Sequence, residues 1–90
     1  MLQDYRKQID KLDKKLIEIL AERFSVTHEV GLYKKENNLP PLDAEREKEM
    51  MEKRTKFSEA LGLDEDFIIE IFRLITSKSK QNHRKIIDNE

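Results

Sequence analysis

Apolar residues recur along the first part of the chain in alternating steps of three and four, which is the spacing of one face of an α-helix. No proline interrupts the segment from Leu2 to about Glu36, so we predict a single helix about 50 Å long. A domain of this size is not wide enough to cover such a helix, and we expect a second copy of the chain to pack against it. This face, called the seam below, has an arginine near its middle and consists of Leu2, Tyr5, Ile9, Leu12, Leu16, Ile19, Arg23, Val26, Val30 and Tyr33.

Local signals predict a second helix from about Ala44 to Ala60. The prolines that end the segment 37–41 stop the first helix, because the residue before a proline is pushed out of the helical region. Asp43 is a suitable N-cap, and Gly62 marks the end of the second helix. The stripe of this helix is sparse and consists of Glu47, Met50, Phe57 and Leu61. Arg54 lies between the last methionine, Met51, and Phe57.

A third helix is predicted after Asp64, which we expect to cap it. Its stripe consists of Ile68, Ile71, Ile75, Ser79, His83 and Ile86, and it becomes polar towards the end. Phe67 and Phe72 lie beside this stripe. With only two glycines and two prolines in the chain, the sequence predicts an all-α fold with one long N-terminal helix and two shorter ones.

Composition narrows the class of protein. Ninety residues make one domain, 1–90, and a domain this small is only marginally stable by itself. Cysteine is absent, so oligomerisation is the natural source of further stability. The 18 Lys and Arg nearly balance 19 Asp and Glu, which argues against a nucleic-acid or membrane-surface partner. Without a signal sequence or an apolar span, we expect a complete, cytoplasmic chain.

Four polar residues occupy positions where a simple helical bundle would place Leu or Ile, namely Arg23, Glu47, Ser79 and His83. Each has an ordinary structural explanation: a seam arginine can fix register or extend to water, and a serine can bond back to its own helix. Three helices that break their stripes together are better explained by a polar pocket between them, because unpaired buried charge is costly.

The spacing of the cations suggests a ligand. Lys34 follows Arg23 by eleven residues, so both project from nearly the same face about 16 Å apart. Arg6 precedes Arg23 by seventeen residues, about 25 Å, and reaches the same pocket only from an antiparallel partner chain. With Arg46, four cations face one carboxylate, Glu47, which suits a ligand with two carboxylates. A solvated charged surface is the alternative explanation.

The chain resembles the all-helical chorismate mutases, which also occur fused to other enzymes of aromatic biosynthesis. The resemblance covers nearly all 90 residues and depends on the order and spacing of several motifs. They are Arg6-x-x-Ile9-Asp10-x-x-Asp13, Leu20-Ala21-Glu22-Arg23, Val30-Gly31-x-x-Lys34, Asp43-x-Glu45-Arg46-Glu47 and Phe72-x-x-Ile75-x-x-x-Ser79.

This resemblance implies an intertwined helical-bundle homodimer that converts chorismate to prephenate by an intramolecular Claisen rearrangement, with no metal or cofactor. Arg6 of the partner and Arg23 would hold the two substrate carboxylates. Lys34 would donate to the ether oxygen and a carboxylate. Glu47, with the backbone near Asp43, would hold the ring hydroxyl. Arg46 would add positive potential, and Ser79 would contact a carboxylate.

One position departs from the family. Where relatives have a Gln or Glu beside the ether oxygen, ungapped alignment places His83, and we assign it the second hydrogen bond to that oxygen. Ser77 and Gln81 have the same four-residue spacing as Ser79 and His83, so a shift by two residues is the alternative. The stripe favours Ser79 and His83, which continue the apolar face of the third helix.

Two other functions fit the same sequence. Isochorismate pyruvate lyase is a different reaction on the same fold with a similar cationic pocket. A non-catalytic helical dimer that regulates a related enzyme would retain the pocket only as a ligand sensor. The joint presence of Arg23, Lys34, Arg46 and Glu47 favours a working enzyme.

Overall fold

The computed structural model describes the backbone of residues 1–40 and 43–88 and the side chains of residues 1–40 and 43–82. Three helices follow one another along the chain: α1 Leu2–Glu36, α2 Ala44–Ala60 and α3 Glu65–Asp88. The backbone within these ranges forms no strand. The predicted all-α class and the predicted bounds of α1 and α2 are confirmed.

The end of α1 is set by Asn38 before the prolines are reached. Asn38 has a φ of 53°, in the left-handed region that asparagine tolerates better than most residues. Its N–H donates to the carbonyl oxygen of Lys35 at 3.2 Å, and the N–H of Leu39 donates to that of Lys34 at 2.8 Å. These two bonds satisfy carbonyls that the last helical turn would otherwise leave without partners.

Both ends of α2 are fixed by the residues predicted to fix them. The Asp43 side chain accepts a hydrogen bond from the Arg46 N–H at 3.1 Å, as an N-cap does. Gly62 has a φ of 72° and donates to the Glu59 carbonyl at 3.0 Å, while Leu63 donates to the Ser58 carbonyl at 2.9 Å. A side chain at Gly62 would be strained at this φ, which is why glycine ends the helix.

The three helices meet through α3, which packs against both α1 and α2, whereas the backbones of α1 and α2 do not approach each other in the described part of the chain. No described helix is both long enough and apolar enough to cross a membrane. The molecule measures 55 × 27 × 15 Å and has a radius of gyration of 16.3 Å. A compact chain of this length would have a radius of about 12 Å, so the single chain is strongly elongated.

Among the described residues of α1, the covered ones lie in its C-terminal half. All residues from 1 to 19 are exposed, and coverage begins at Leu20. Four of the covered positions follow helical spacing and form a set that we call the packed stripe: Leu20, Phe24, Thr27 and Gly31. The packed stripe lies one residue, or about 100°, around the helix from the seam. Apart from Arg23, the seam side chains are between 45% and 62% exposed.

The predicted stripe of α2 is partly wrong for the single chain. Glu47 and Met50 are half-buried as expected, but Phe57 and Leu61 are 70% and 61% exposed. The other covered positions on this helix are the half-buried Met51, Arg54 and Thr55 and the buried Ser58. Side-chain apolarity pointed to Phe57, whereas the position of α3 covers the face that carries Arg54. Among the described side chains, no large apolar one is fully buried.

Candidate active site

Arg23 is the arginine of the seam, and it is half-buried. Its guanidinium carbon lies 6.0 Å from the centroid of the Phe72 ring on α3. Its Nη1 atom is buried and has no hydrogen-bond partner among the described residues. A buried donor without a partner costs about 1–3 kcal/mol, and such a group calls for an explanation such as a ligand site.

Ser79 presents a second buried group of this kind. Its Oγ atom is buried and, within the part of the chain that the structure describes, has no hydrogen-bond partner. Phe72 and Ser79 are seven residues apart on α3, which places them on one face about two turns apart. The unsatisfied donor of α1 and the unsatisfied hydroxyl of α3 therefore belong to the same side of α3.

The alternative pair on α3 faces elsewhere. Ser77 and Gln81 are exposed, whereas Ser79 is half-buried. Ser77 lines an open outer groove together with Phe67 and Glu70. This geometry supports the alignment with Ser79 in the site and His83 one turn further on. The side chain of His83 lies outside the described residues, so its role stays a prediction.

Glu47 and Lys80 form an ion pair that joins α2 to α3. The Lys80 Nζ atom lies 3.2 Å from one carboxylate oxygen of Glu47 and 3.4 Å from the other. Both side chains are partly exposed, at 44% and 45%. The Glu47 carboxylate, which the sequence predicts to hold a substrate hydroxyl, is thus paired with a lysine that was not predicted to be a site residue.

Arg54 on α2 brings a further positive charge to the site. Its guanidinium carbon lies over the Phe72 ring, 4.2 Å from the centroid, so this ring has guanidinium groups of both α1 and α2 near it. Burial lowers the pKa of Arg54 below its ordinary value, Arg23 and Arg46 lower it further, and Glu47 raises it. The cations of α1 and α2 therefore repel one another across this site.

The remaining predicted residues are distributed as follows. Lys34 is half-buried in the last turn of α1. Arg46 is exposed in the first turn of α2, next to the capping Asp43. Arg6 is exposed in the N-terminal half of α1, where all residues from 1 to 19 are exposed. The single chain thus brings together Arg23, Arg46 and Glu47 and leaves Arg6 remote.

Three site residues were not assigned from the sequence: Arg54, Phe72 and Lys80. Arg54 follows Glu47 by seven residues, two helical turns, and this spacing was a usable signal. Phe72 was noted beside the apolar stripe and as the first residue of a family motif, but no role in the site was assigned to it. Lys80 is adjacent to Ser79 in sequence, about 100° around the helix, and no pattern in the sequence separates it from the surface lysines around it.

The charge of this cluster favours a small anion with two negative groups. Arg23, Arg46 and Glu47 lie close enough to Arg54 for their charges to act on it, and Lys80 pairs with Glu47. Arginine side chains present planar pairs of donors that match carboxylates. This arrangement of charges is suited to bind and orient an anion and to stabilise negative charge, and neither task requires a protein nucleophile.

Comparison with known proteins agrees with this chemistry. Residues 5–84 match the family described as chorismate mutase type II. A protein named chorismate mutase from Methanocaldococcus jannaschii is 30% identical over 87 residues, covering 97% of this chain and 88% of that protein. The T-protein of Enterobacter agglomerans is 40% identical over 74 residues, covering 82% of this chain and 20% of that protein.

A bifunctional chorismate mutase/prephenate dehydratase from Buchnera aphidicola is 32% identical over 83 residues, covering 92% of this chain. The chain spans 22% of that relative's length and 20% of the T-protein, so it corresponds to one part of these larger proteins. The family match covers most of the chain, and the chain therefore belongs to the type II chorismate mutases.

Proposed function

We propose that this chain catalyses the conversion of chorismate to prephenate. In this rearrangement the ether C–O bond breaks while a new C–C bond forms in the same molecule, so no group leaves and no proton is transferred. The observation that carries the proposal is a pair of buried groups, Arg23 Nη1 and Ser79 Oγ, that have no hydrogen-bond partner among the described residues and lie in a cationic cluster of a chain of this family. Both groups are suited to a substrate carboxylate.

Catalysis would consist of holding a compact conformer and stabilising the charge that grows on the ether oxygen. Arg23 and Ser79 bind carboxylate, and Lys34 donates to the ether oxygen and to a carboxylate. Glu47, oriented by Lys80, accepts a hydrogen bond from the ring hydroxyl. Arg46 adds positive potential at the start of α2, near the backbone of Asp43, and His83 supplies the second donor to the ether oxygen.

The proposed enzyme is a homodimer in which Arg6 comes from the partner chain. A compact protein of 10.8 kDa would expose about 5,500 Å², whereas this chain exposes 7842 Å². The excess of roughly 2,300 Å² per chain is within the range that obligate dimers bury, about 1,000–2,500 Å² per partner. Much of the exposed apolar surface lies on the seam, which an antiparallel partner helix would cover while bringing Arg6 towards Arg23.

A product assay tests this proposal directly. Purified protein is incubated with chorismate, loss of chorismate is followed, and the product is identified; prephenate is expected. The same protein is incubated with isochorismate, where salicylate and pyruvate would identify a lyase instead. Binding of chorismate without turnover of either compound would identify a non-catalytic regulator. Either result would refute the mutase proposal.

A further inference from the structure

Arg54 is a charged residue in a place where the fold would accept an apolar one. It lies on the covered face of α2, two turns after Glu47, and its guanidinium carbon is 4.2 Å from the centre of the Phe72 ring. A leucine or methionine would cover this ring without bringing a charge into a half-buried position. The charge at this position therefore needs an explanation beyond packing.

The surroundings of Arg54 make its charge unfavourable in the free protein. Burial, Arg23 and Arg46 all disfavour the charged form of Arg54, and Glu47 favours it. The carboxylate of Glu47 is already paired with Lys80 at 3.2 Å. A ligand that brings two negative charges to Arg23 would relieve the repulsion among Arg23, Arg46 and Arg54. The positive charge of Arg54 would therefore strengthen the binding of such a ligand.

The ring of Phe72 connects Arg54 to the ligand-binding arginine. Arg54 lies close to the ring, and Arg23 lies at 6.0 Å from the same centroid. Arg54 thus limits, by contact with Phe72 and by repulsion, where the Arg23 guanidinium can lie. We propose that Arg54 is a positioning residue of the substrate site, which aims Arg23 at a substrate carboxylate and raises the positive potential there. This inference rests on the proposed function.

The test compares Arg54→Met with Arg54→Lys. Methionine keeps an unbranched apolar stem on Phe72 but removes the charge, whereas lysine keeps the charge. We expect Arg54→Met to raise the KM for chorismate about tenfold while kcat changes less than threefold, since the loss is one of ground-state binding. Arg54→Lys should keep KM within about threefold of the parent, because most of the potential remains.

Lys53→Met is the matched control, because it removes one positive charge from the neighbouring, exposed position of α2. It should leave both kinetic constants unchanged. The melting temperature of ligand-free Arg54→Met should be no lower than that of Lys53→Met, because the repelling charge has been removed. A lower melting temperature or loss of folding, or an unchanged KM, would mean that Arg54 only packs and would overturn the proposal.

A ligand other than chorismate separates this inference from the proposed function. If the parent protein does not convert chorismate, the proposed function fails, and Arg54 is tested by melting in sulfate against chloride at equal ionic strength. Sulfate, a dianion, should then stabilise the parent and Lys53→Met more than Arg54→Met. Equal stabilisation of all three proteins would contradict a role of Arg54 in anion binding.

Discussion

Arg6 and Lys34 lie near opposite ends of α1, and the proposed site needs both. Along the helix, Arg6 is about 25 Å from Arg23, far more than an arginine side chain can span. Residues 1–19 are exposed, and α1 runs as one continuous helix from Leu2 to Glu36, so Arg6 stays far from Arg23 within the chain. We therefore predict that Arg6→Ala and Lys34→Ala each inactivate the enzyme and that co-refolding the two variants restores activity.

The size of the recovery follows from the two-fold symmetry of the proposed dimer. Random pairing of two variant chains makes about half of the dimers mixed. In a mixed dimer, one site has the intact Lys34 of one chain and the intact Arg6 of the other, while the second site lacks both. The mixture should therefore reach about a quarter of the activity of the same amount of parent protein.

A second mixture provides the opposite control. Parent protein is co-refolded with equal amounts of a chain that carries both Arg6→Ala and Lys34→Ala. Each mixed dimer then has two defective sites, so activity should fall from about half of the parent value before exchange to about a quarter after it. Activity is measured as chorismate loss per milligram, and exchange is confirmed with a tagged chain. An activity that stays at half in this mixture, or no recovery in the first one, would refute the shared site.

Further substitutions test the roles of Lys34, Lys80 and His83 one residue at a time. The Lys34→Ala variant should keep the helical content and the dimeric state of the parent, but its kcat should fall at least about 10²-fold. A loss of only a few-fold would contradict the role of Lys34 as donor to the ether oxygen. Lys80→Met should lower kcat/KM by roughly fivefold at most, because the ion pair that it removes is partly exposed. In a Glu47→Gln background the same substitution should have no effect. Equal losses in both backgrounds would show that Lys80 acts independently of Glu47. His83→Gln should retain most activity while His83→Ala loses about 10-fold. If Gln81→Ala is the damaging change instead, the alignment of α3 is wrong.

The bounds of α1 and α2 could be predicted because local residues set them. Asp43 caps α2 with its own side chain, and Gly62 takes the positive φ that ends it. These effects act within a few residues and need no knowledge of the rest of the fold. Asn38 shows the limit even here: the prolines were expected to stop α1, but the asparagine takes up the left-handed conformation first.

Which face of α2 is covered could not be predicted in the same way. Apolarity favoured Phe57, which is 70% exposed in the chain, over Arg54, which lies on Phe72. Which face of α2 is covered depends on where α3 packs against it, and this is a property of the tertiary structure. Lys80 illustrates the same limit, because only the approach of α3 to α2 distinguishes it as the partner of Glu47.

The two faces of α1 explain how one helix can serve both folding and assembly. The packed stripe of Leu20, Phe24, Thr27 and Gly31 is covered within the chain, while the seam one residue away remains exposed. Arg23 lies at the boundary between them, half-buried, and its Nη1 atom has no hydrogen-bond partner in the part of the chain that the structure describes. In the proposed dimer, the partner helix that covers the seam would also close the site over Arg23. Assembly and substrate binding would then depend on the same surface. A seam substitution such as Ile19→Glu should therefore weaken dimer formation and substrate binding together, whereas a change at Phe24 should act first on the fold of the single chain.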